Sequence, residues 1–351
     1  MVLCAAAVAT ALAAAAAAES KPVQRLDSPR SSEIGLAAAA IRDSALSPET
    51  VALLVPGSYW GGAYRISSGE SVTVYASNAY PVDPALGQRW ADFLGSLVHG
   101  SEISTVAVYL APLSQVERVC GRDSYACYSA AERALLAPGE NPSDGLSAEA
   151  IIAHEYGHHV AANRSNAPWN ALHWGTKRWA SSIQVCARTR SRDLWPGATD
   201  PLRYDFNPGE GFAESYRLLN ERKAGRTETP WRIVSDVLYP NDAALSALQQ
   251  DVTTPWQQGA SSTYRARLTR ATRTRTYTVP TQLDGTLKVT LSPSAGLRLA
   301  LEVFASSSRV VRVVGSAAIS RSTTVCGQRS HRIRVRAVRG SGTFSLTVAK
   351  P

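Results

Sequence analysis

After residue 20 the chain has no apolar run approaching the ~20 residues a membrane-spanning helix needs, so a helical integral membrane protein is excluded. No segment repeats at a fixed period, which excludes solenoids and propellers. Acids almost vanish from the C-terminal quarter: residues 265–351 hold 16 Lys+Arg against 2 Asp+Glu, while the remainder holds 21 against 26. The net charge of +9 is therefore a basic C-terminal region on a slightly acidic body. Such asymmetry points either to an anionic partner, such as a surface polymer or nucleic acid, or to the solvated arginine face of a β domain. The second is the simpler reading. No aromatics interleave with the arginines, which argues against a single-strand nucleic-acid binder.

The chain is long enough for two domains, and 44% hydrophobic with 19% charged residues fits a globular protein. Residues 1–18 are mostly Ala with a few Val and Leu, and Ala16-Ala17-Ala18 before Glu19 resembles a signal-peptidase site, although a basic leader is missing. Residues 19–50 are rich in Ser, Pro and Ala and read as a flexible linker. Export agrees with the cysteines. Cys4 would leave with the leader, and Cys120, Cys127, Cys186 and Cys326 remain, an even set with three possible connectivities. Cys120 and Cys127 are close in sequence, so a local bridge is the first choice, and Cys186 with Cys326 follows by elimination. Four free thiols in a reducing compartment are the alternative, which export disfavours.

The hydropathy pattern predicts strands at 71–75 and 105–110, and an extended stretch over 128–137. It predicts helices over 84–98 with Asp83 as N-cap, from Ser147 to about 163, over a Trp-rich 168–190, and over 208–220 with Pro at the start. After residue 260 short strands follow at 276–280, 287–291, 297–304, 310–314, 331–338 and 344–348, a spacing that suggests a small β-sandwich. The boundary is expected at 262, giving parts 51–261 and 262–351.

Histidine is scarce at six residues, yet three of the six fall within 154–159. His154-Glu155-Tyr156-Gly157-His158 is an H-E-x-x-H pattern inside a predicted helix. Histidines four apart lie one turn apart on one helical face, so both imidazoles can reach one zinc ion, with Glu155 beside them as general base. The bland alternative is a surface helix with stray histidines. A catalytic zinc needs a third protein ligand. The extended motif with a third His six residues on is absent, since position 161 is Ala and position 164 is Arg. The predicted helix at 208–220 carries Glu210 and Glu214, four apart on one face. One carboxylate can ligate zinc while the other accepts a hydrogen bond from a ligand imidazole. A solvated acidic face is the alternative.

His154-Glu155-Tyr156-Gly157-His158 followed by Glu210-Gly211-Phe212-Ala213-Glu214 resembles the gluzincin class of zinc metallopeptidases. The E-x-F-A-E form is similar to the peptidase domain of anthrax lethal factor and to secreted actinobacterial zinc peptidases. The resemblance implies an α+β zincin-like metallopeptidase domain, with a small all-β sandwich of pre-peptidase type after it. It implies one Zn2+, with Glu210 as third ligand and Glu214 behind the ligand shell. It also implies Tyr204 as donor to the oxyanion, with Tyr216, His173 and Arg217 as rivals, and the 128–137 stretch as the edge strand above the cleft. His159 reads as structural, and Trp169 and Trp231 as possible pocket walls.

The leading expectation is thus a secreted zinc endopeptidase acting on a peptide or protein substrate, with Glu155 activating water. A zinc hydrolase of a non-protein amide such as cell-wall material would use the same chemistry. A non-catalytic cell-surface binding protein is the third reading, against which the intact Glu155 speaks.

Overall fold

The computed structural model describes residues 58–351 apart from 144, 201 and 232. The leader-like 1–18 and the linker 19–50 lie outside the described residues. Alternating Val72, Val74 and Ala76 are buried, and they build β2 (Ser71–Ser77) beside β1 (Tyr59–Arg65). With β3 (Ala107–Leu110), β4 (Cys127–Ser129) and β5 (Ala134–Ala137) they form a five-stranded sheet in the order β1-β2-β3-β5-β4. The central pairs β2–β3 and β3–β5 are parallel, and the two edge strands are antiparallel.

The sequence pattern predicts one extended stretch over 128–137. The structure folds it into a hairpin, with Tyr128 opposite Leu135. Arg133 takes a positive φ in the turn, a conformation that residue type does not advertise. Within that stretch β4 is the edge strand and β5 is interior, and both are buried along their length.

Helix α1 (Pro84–Ser96) starts at Asp83, whose carboxylate accepts from Ala85 N at 3.0 Å. Helix α2 (Leu113–Cys120) has no counterpart in the sequence reading. It ends in a disulfide from Cys120 to Cys127 on β4. Helix α3 (Ala148–Ala162) carries the H-E-x-x-H residues and is capped by Ser147, which accepts from Ala150 N at 3.1 Å. Almost all of α3 is buried, so its sequence shows no apolar stripe.

The Trp-rich segment is three short helices rather than one: α4 (Ala171–Trp174), α5 (Lys177–Ser182) and α6 (Val185–Ser191). Left-handed backbone at Gln184 and positive φ at Gly175 break it. A side chain at Gly175 would meet the Trp179 ring at 2.2 Å, so the break is fixed by packing. Helix α7 (Pro208–Lys223) begins at Asn207, whose Oδ1 accepts from Gly209 N, and α8 (Asp242–Thr253) closes this α+β part.

The C-terminal part is all β: β6 (Ala260–Leu268), β7 (Thr274–Thr281), β8 (Gly285–Pro293), β9 (Arg298–Ala305), β10 (Ser308–Gly315), β11 (Ile319–Val325), β12 (Arg329–Arg339) and β13 (Gly342–Lys350). They form two four-stranded antiparallel sheets, β10-β9-β12-β7 and β11-β8-β13-β6, that share one core including Leu287, Leu291, Leu301, Ile333 and Leu346. Strands β6 and β11 were not expected; their Ser, Thr and Arg content hides the alternation. Strand β6 starts two residues before the expected boundary. The second disulfide, Cys186–Cys326, joins α6 to the all-β part. Asp284 reinforces that joint, accepting from Cys186 N at 3.4 Å and from Gly327 N at 2.5 Å.

Candidate metal centre

Helices α3 and α7 pack face to face, and Gly157 sets how closely. A Cβ there would lie 2.9 Å from Ala213 Cα and 3.1 Å from Tyr216 Cβ. The glycine inside the motif thus lets the two backbones approach and brings Glu210, in the first turn of α7, to the histidines. Glu210 Oε2 lies 3.4 Å from His154 Nε2 and 3.3 Å from His158 Nε2. These three buried groups are the one cluster of potential ligands found among the described residues, with donor atoms all within 4.8 Å of one another. Neither Glu210 oxygen and neither His154 nitrogen has a hydrogen-bond partner. Buried polar atoms without partners are costly, and a shared cation resolves several at once. The cluster could hold a metal ion.

Burial alone would raise the Glu210 pKa, but His158 and His154 beside it hold the carboxyl well below the usual range. Glu155 is fully buried on α3, between the two histidines in sequence.

Glu214 lies one turn further along α7. Its Oε2 is 3.6 Å from His154 Nδ1, the ring nitrogen opposite the one facing Glu210. Burial opposes Glu214 ionisation, yet Arg217 and His154 hold its pKa below the ordinary value. Arg217 forms a fork on Glu214, with Nε to Oε2 at 3.0 Å and Nη2 to Oε1 at 2.5 Å. It also donates to Glu221 at 2.6 Å and to the Trp231 carbonyl at 3.3 Å. The Trp231 ring lies against both Arg217 and His154. A chain Glu221–Arg217–Glu214 therefore stands behind the His154 ring, with Glu214 in ion-pair range of its Nδ1. Its spacings of three and four residues along α7 were visible in sequence, but the long-range partner Trp231 was not.

Arg217→Met leaves Glu214 buried without its cation. The expected result is metal retention weakened 10–100-fold, measured by competition with a chromophoric chelator.

The remaining candidates are distributed unevenly. Tyr204 sits in a 3-10 turn (Tyr204–Phe206) before α7 and is enclosed in the core of the α+β part. Tyr216 donates its hydroxyl to Val98 O at 2.5 Å, and Arg217 is committed to two carboxylates. His173, on α4, is half-buried; burial lowers its pKa, and the fields of Glu210 and His158 act on it in opposite senses. Its Nδ1 has no hydrogen-bond partner, and the turn at Gly197 packs on its ring. His159 holds Tyr128 Oη at 3.0 Å through Nδ1 and Glu102 O at 3.0 Å through Nε2, a structural role that ties α3 to β4.

No protein-family model matches the chain, and a search of curated proteins returned no match. Among solved structures, likenesses are confined to low scores. The pre-peptidase C-terminal domain of a collagenase from Bacillus anthracis matches at 15% identity and TM-score 0.24, covering 25% of this chain and 88% of that one. The lysozyme inhibitor PliG of Aeromonas hydrophila matches at 17% identity and TM-score 0.22, covering 26% and 86%. A mitogen derived from Yersinia pseudotuberculosis matches at 10% identity and TM-score 0.21, covering 26% and 87%. These likenesses assign the chain to no family.

Proposed function

We propose that the chain is an exported zinc-dependent endopeptidase of zincin-like architecture. The observation that carries this reading is the buried His154, His158 and Glu210 cluster with Glu155 on the same helix. Two nitrogens and one carboxylate are a donor set typical of catalytic zinc. Ligands ~2.0–2.1 Å from a tetrahedral ion stand about 3.3–3.4 Å apart, and Glu210 Oε2 stands 3.4 and 3.3 Å from the two imidazole nitrogens. Those two spacings agree with zinc, and all three donor atoms lie within 4.8 Å of one another. The two disulfides agree with an oxidising, extracellular setting. Among the described residues no helix is long and apolar enough to cross a membrane.

When bound, zinc would acidify a water molecule and polarise the substrate carbonyl. Glu155 accepts the proton of the attacking water on its carboxylate and returns it to the leaving nitrogen. Glu214 and Arg217 hold the His154 ring in one tautomer. A further donor must meet the oxygen of the attacked carbonyl. His173 is favoured over Tyr204, because it is only half-buried and lies within the field of Glu210 and His158. His173→Ala is expected to lower kcat by ~10²-fold or more with little change in KM, and Tyr204→Phe by much less. The reverse order in steady-state kinetics would return that role to Tyr204.

The test of the reading is cleavage of a mixed peptide library by the zinc-loaded protein, run beside Glu155→Ala. Cleavage lost in the variant and on chelation supports it. A library left intact by the zinc-loaded protein counts against it and favours a non-peptide amide.

A further inference from the structure

The acids of the C-terminal part are withdrawn from its surface. Of the two in residues 265–351, Asp284 is 1% exposed and Glu302 4%. Asp284 faces the joint with α6. Glu302 lies on the outward side of β9, beneath Arg334 at 2.7 Å and Arg309 at 3.1 Å. The strand register fixes what surrounds it. On β12, Arg332, Arg334 and Arg336 stand opposite Phe304, Glu302 and Ala300 of β9. On the other side, Arg309 and Arg312 of β10 stand opposite Phe304 and Glu302. The intervening Ile333, Val335, Leu301 and Val303 are in the core, so all five arginines share the outer face. These five cations and one carboxylate sum to +4, and Arg298 and Arg339, opposite each other at one end of the β9–β12 pair, add to it.

The arginines are also held in place. Arg332 and Arg334 lie over the Phe304 ring at 4.7 and 5.1 Å. Stacking restrains both guanidiniums, so less side-chain freedom is lost when an anion binds. It also covers the aromatic ring of that face, and no platform is left for a nucleobase.

Charge spacing narrows the partner. Successive outward side chains of a strand repeat every two residues, about 6.8 Å, across six backbone bonds. A polymer with one phosphodiester per three-carbon unit also has six backbone bonds between phosphorus atoms. Extended alongside β12, its charges keep step with the arginine ladder. A polyuronate spaces its charges by rigid pyranose rings and does not keep step. Planar arginine forks also match phosphate oxygens.

We propose that the outer face of the β10-β9-β12-β7 sheet docks a linear, base-free polyphosphodiester, such as a chain of glycerol phosphate units. The surface is separate from the metal centre and stands without it.

The test is fluorescence anisotropy of labelled oligo(glycerol phosphate) with the full chain at 150 mM salt, about physiological strength. The variant R312S/R332S/R336S removes three exposed arginines but spares Arg309 and Arg334, so Glu302 keeps both partners. The control R265S/R267S/K288S removes the same charge from exposed positions of the other sheet. The first variant is expected to bind about a hundredfold more weakly, and the control less than about fivefold. The single substitutions are expected to give graded parts of that loss, so the comparison survives if the triple variant fails to fold. A polyuronate and an oligodeoxyadenylate of equal charge are expected to compete poorly. Equal losses in both triple variants would reduce the effect to net charge and overturn the proposal. So would tighter binding of either competitor, or no binding by the wild-type chain.

Discussion

Glu155→Gln is expected to keep its metal and its fold while losing peptide cleavage by ~10³–10⁴-fold. The size of that loss follows from the environment. Glu155 is fully buried on α3, and glutamine has nearly the same shape, so packing against neighbours is preserved. What disappears is the ability to accept a proton. Positioned general acid–base groups contribute ~10²–10⁴ to rate, and here one carboxylate would serve both the attack and the departure of the amine. The effect belongs at the upper end of that range. It should appear in kcat and kcat/KM alike, because the interaction is made only in the transition state. Metal content by mass spectrometry and the melting temperature should match wild type. A variant retaining more than about a tenth of the activity would remove Glu155 from the chemistry. Glu155→Asp should fall between the two, since its carboxylate is kept but withdrawn by one methylene.

The same variant separates the functional alternatives. A chain that only binds a surface would be indifferent to Glu155→Gln. A hydrolase of a non-peptide amide would lose activity just as a peptidase does, so the substrate library and the variant must be read together. Arginine losses on the β10-β9-β12-β7 face should change polymer binding while leaving turnover of small peptides untouched. The two functions would then be carried by different parts of one chain.

The centre was legible because helical geometry turns sequence spacing into distance. His154 and His158 are four apart, as are Glu210 and Glu214, and each pair must share a face. Which carboxylate meets both histidines was not decided by spacing. It follows from where α7 starts: the Asn207 cap puts Glu210 in the first turn, about one turn before the Ala213 that packs on Gly157, and Glu214 one turn deeper. His173 was named only as a rival, because no local rule links it to residues 15 positions before and 37 positions after it. The three short helices α4, α5 and α6 were hidden for a similar reason. Gln184 and Arg192 take left-handed backbone without being glycine, and tertiary packing imposes that conformation. Strands β6 and β11 were missed because both lie at sheet edges, where few of their residues are buried. The disulfides were readable from number and proximity alone, since four cysteines leave so few pairings.

Zinc is expected to raise the melting temperature of the metal-free chain by about 10 °C when free metal is ~1,000 times its Kd, and Glu210→Ala should abolish most of that shift. A ligand that binds only the native state adds ~4 kcal/mol at that ratio. For a part of this size each kcal/mol moves the melting temperature by roughly 2–4 °C. The response should be strong because the cluster is buried and the Glu210 oxygens and His154 nitrogens have no hydrogen-bond partner, so the metal-free chain bears a desolvation cost that metal relieves. Removing Glu210 deletes the one oxygen that stands within 3.4 Å of both imidazoles. Two histidines on one helix then remain, and affinity should fall by more than the 10–100-fold expected for Arg217→Met, which leaves the ligands in place. That ordering is the discriminating result, because both substitutions disturb α7 but only one removes a donor atom. Differential scanning calorimetry across a zinc titration would establish it. If Glu210→Ala and wild type shift equally, the ion binds elsewhere and the centre is not where these three side chains converge.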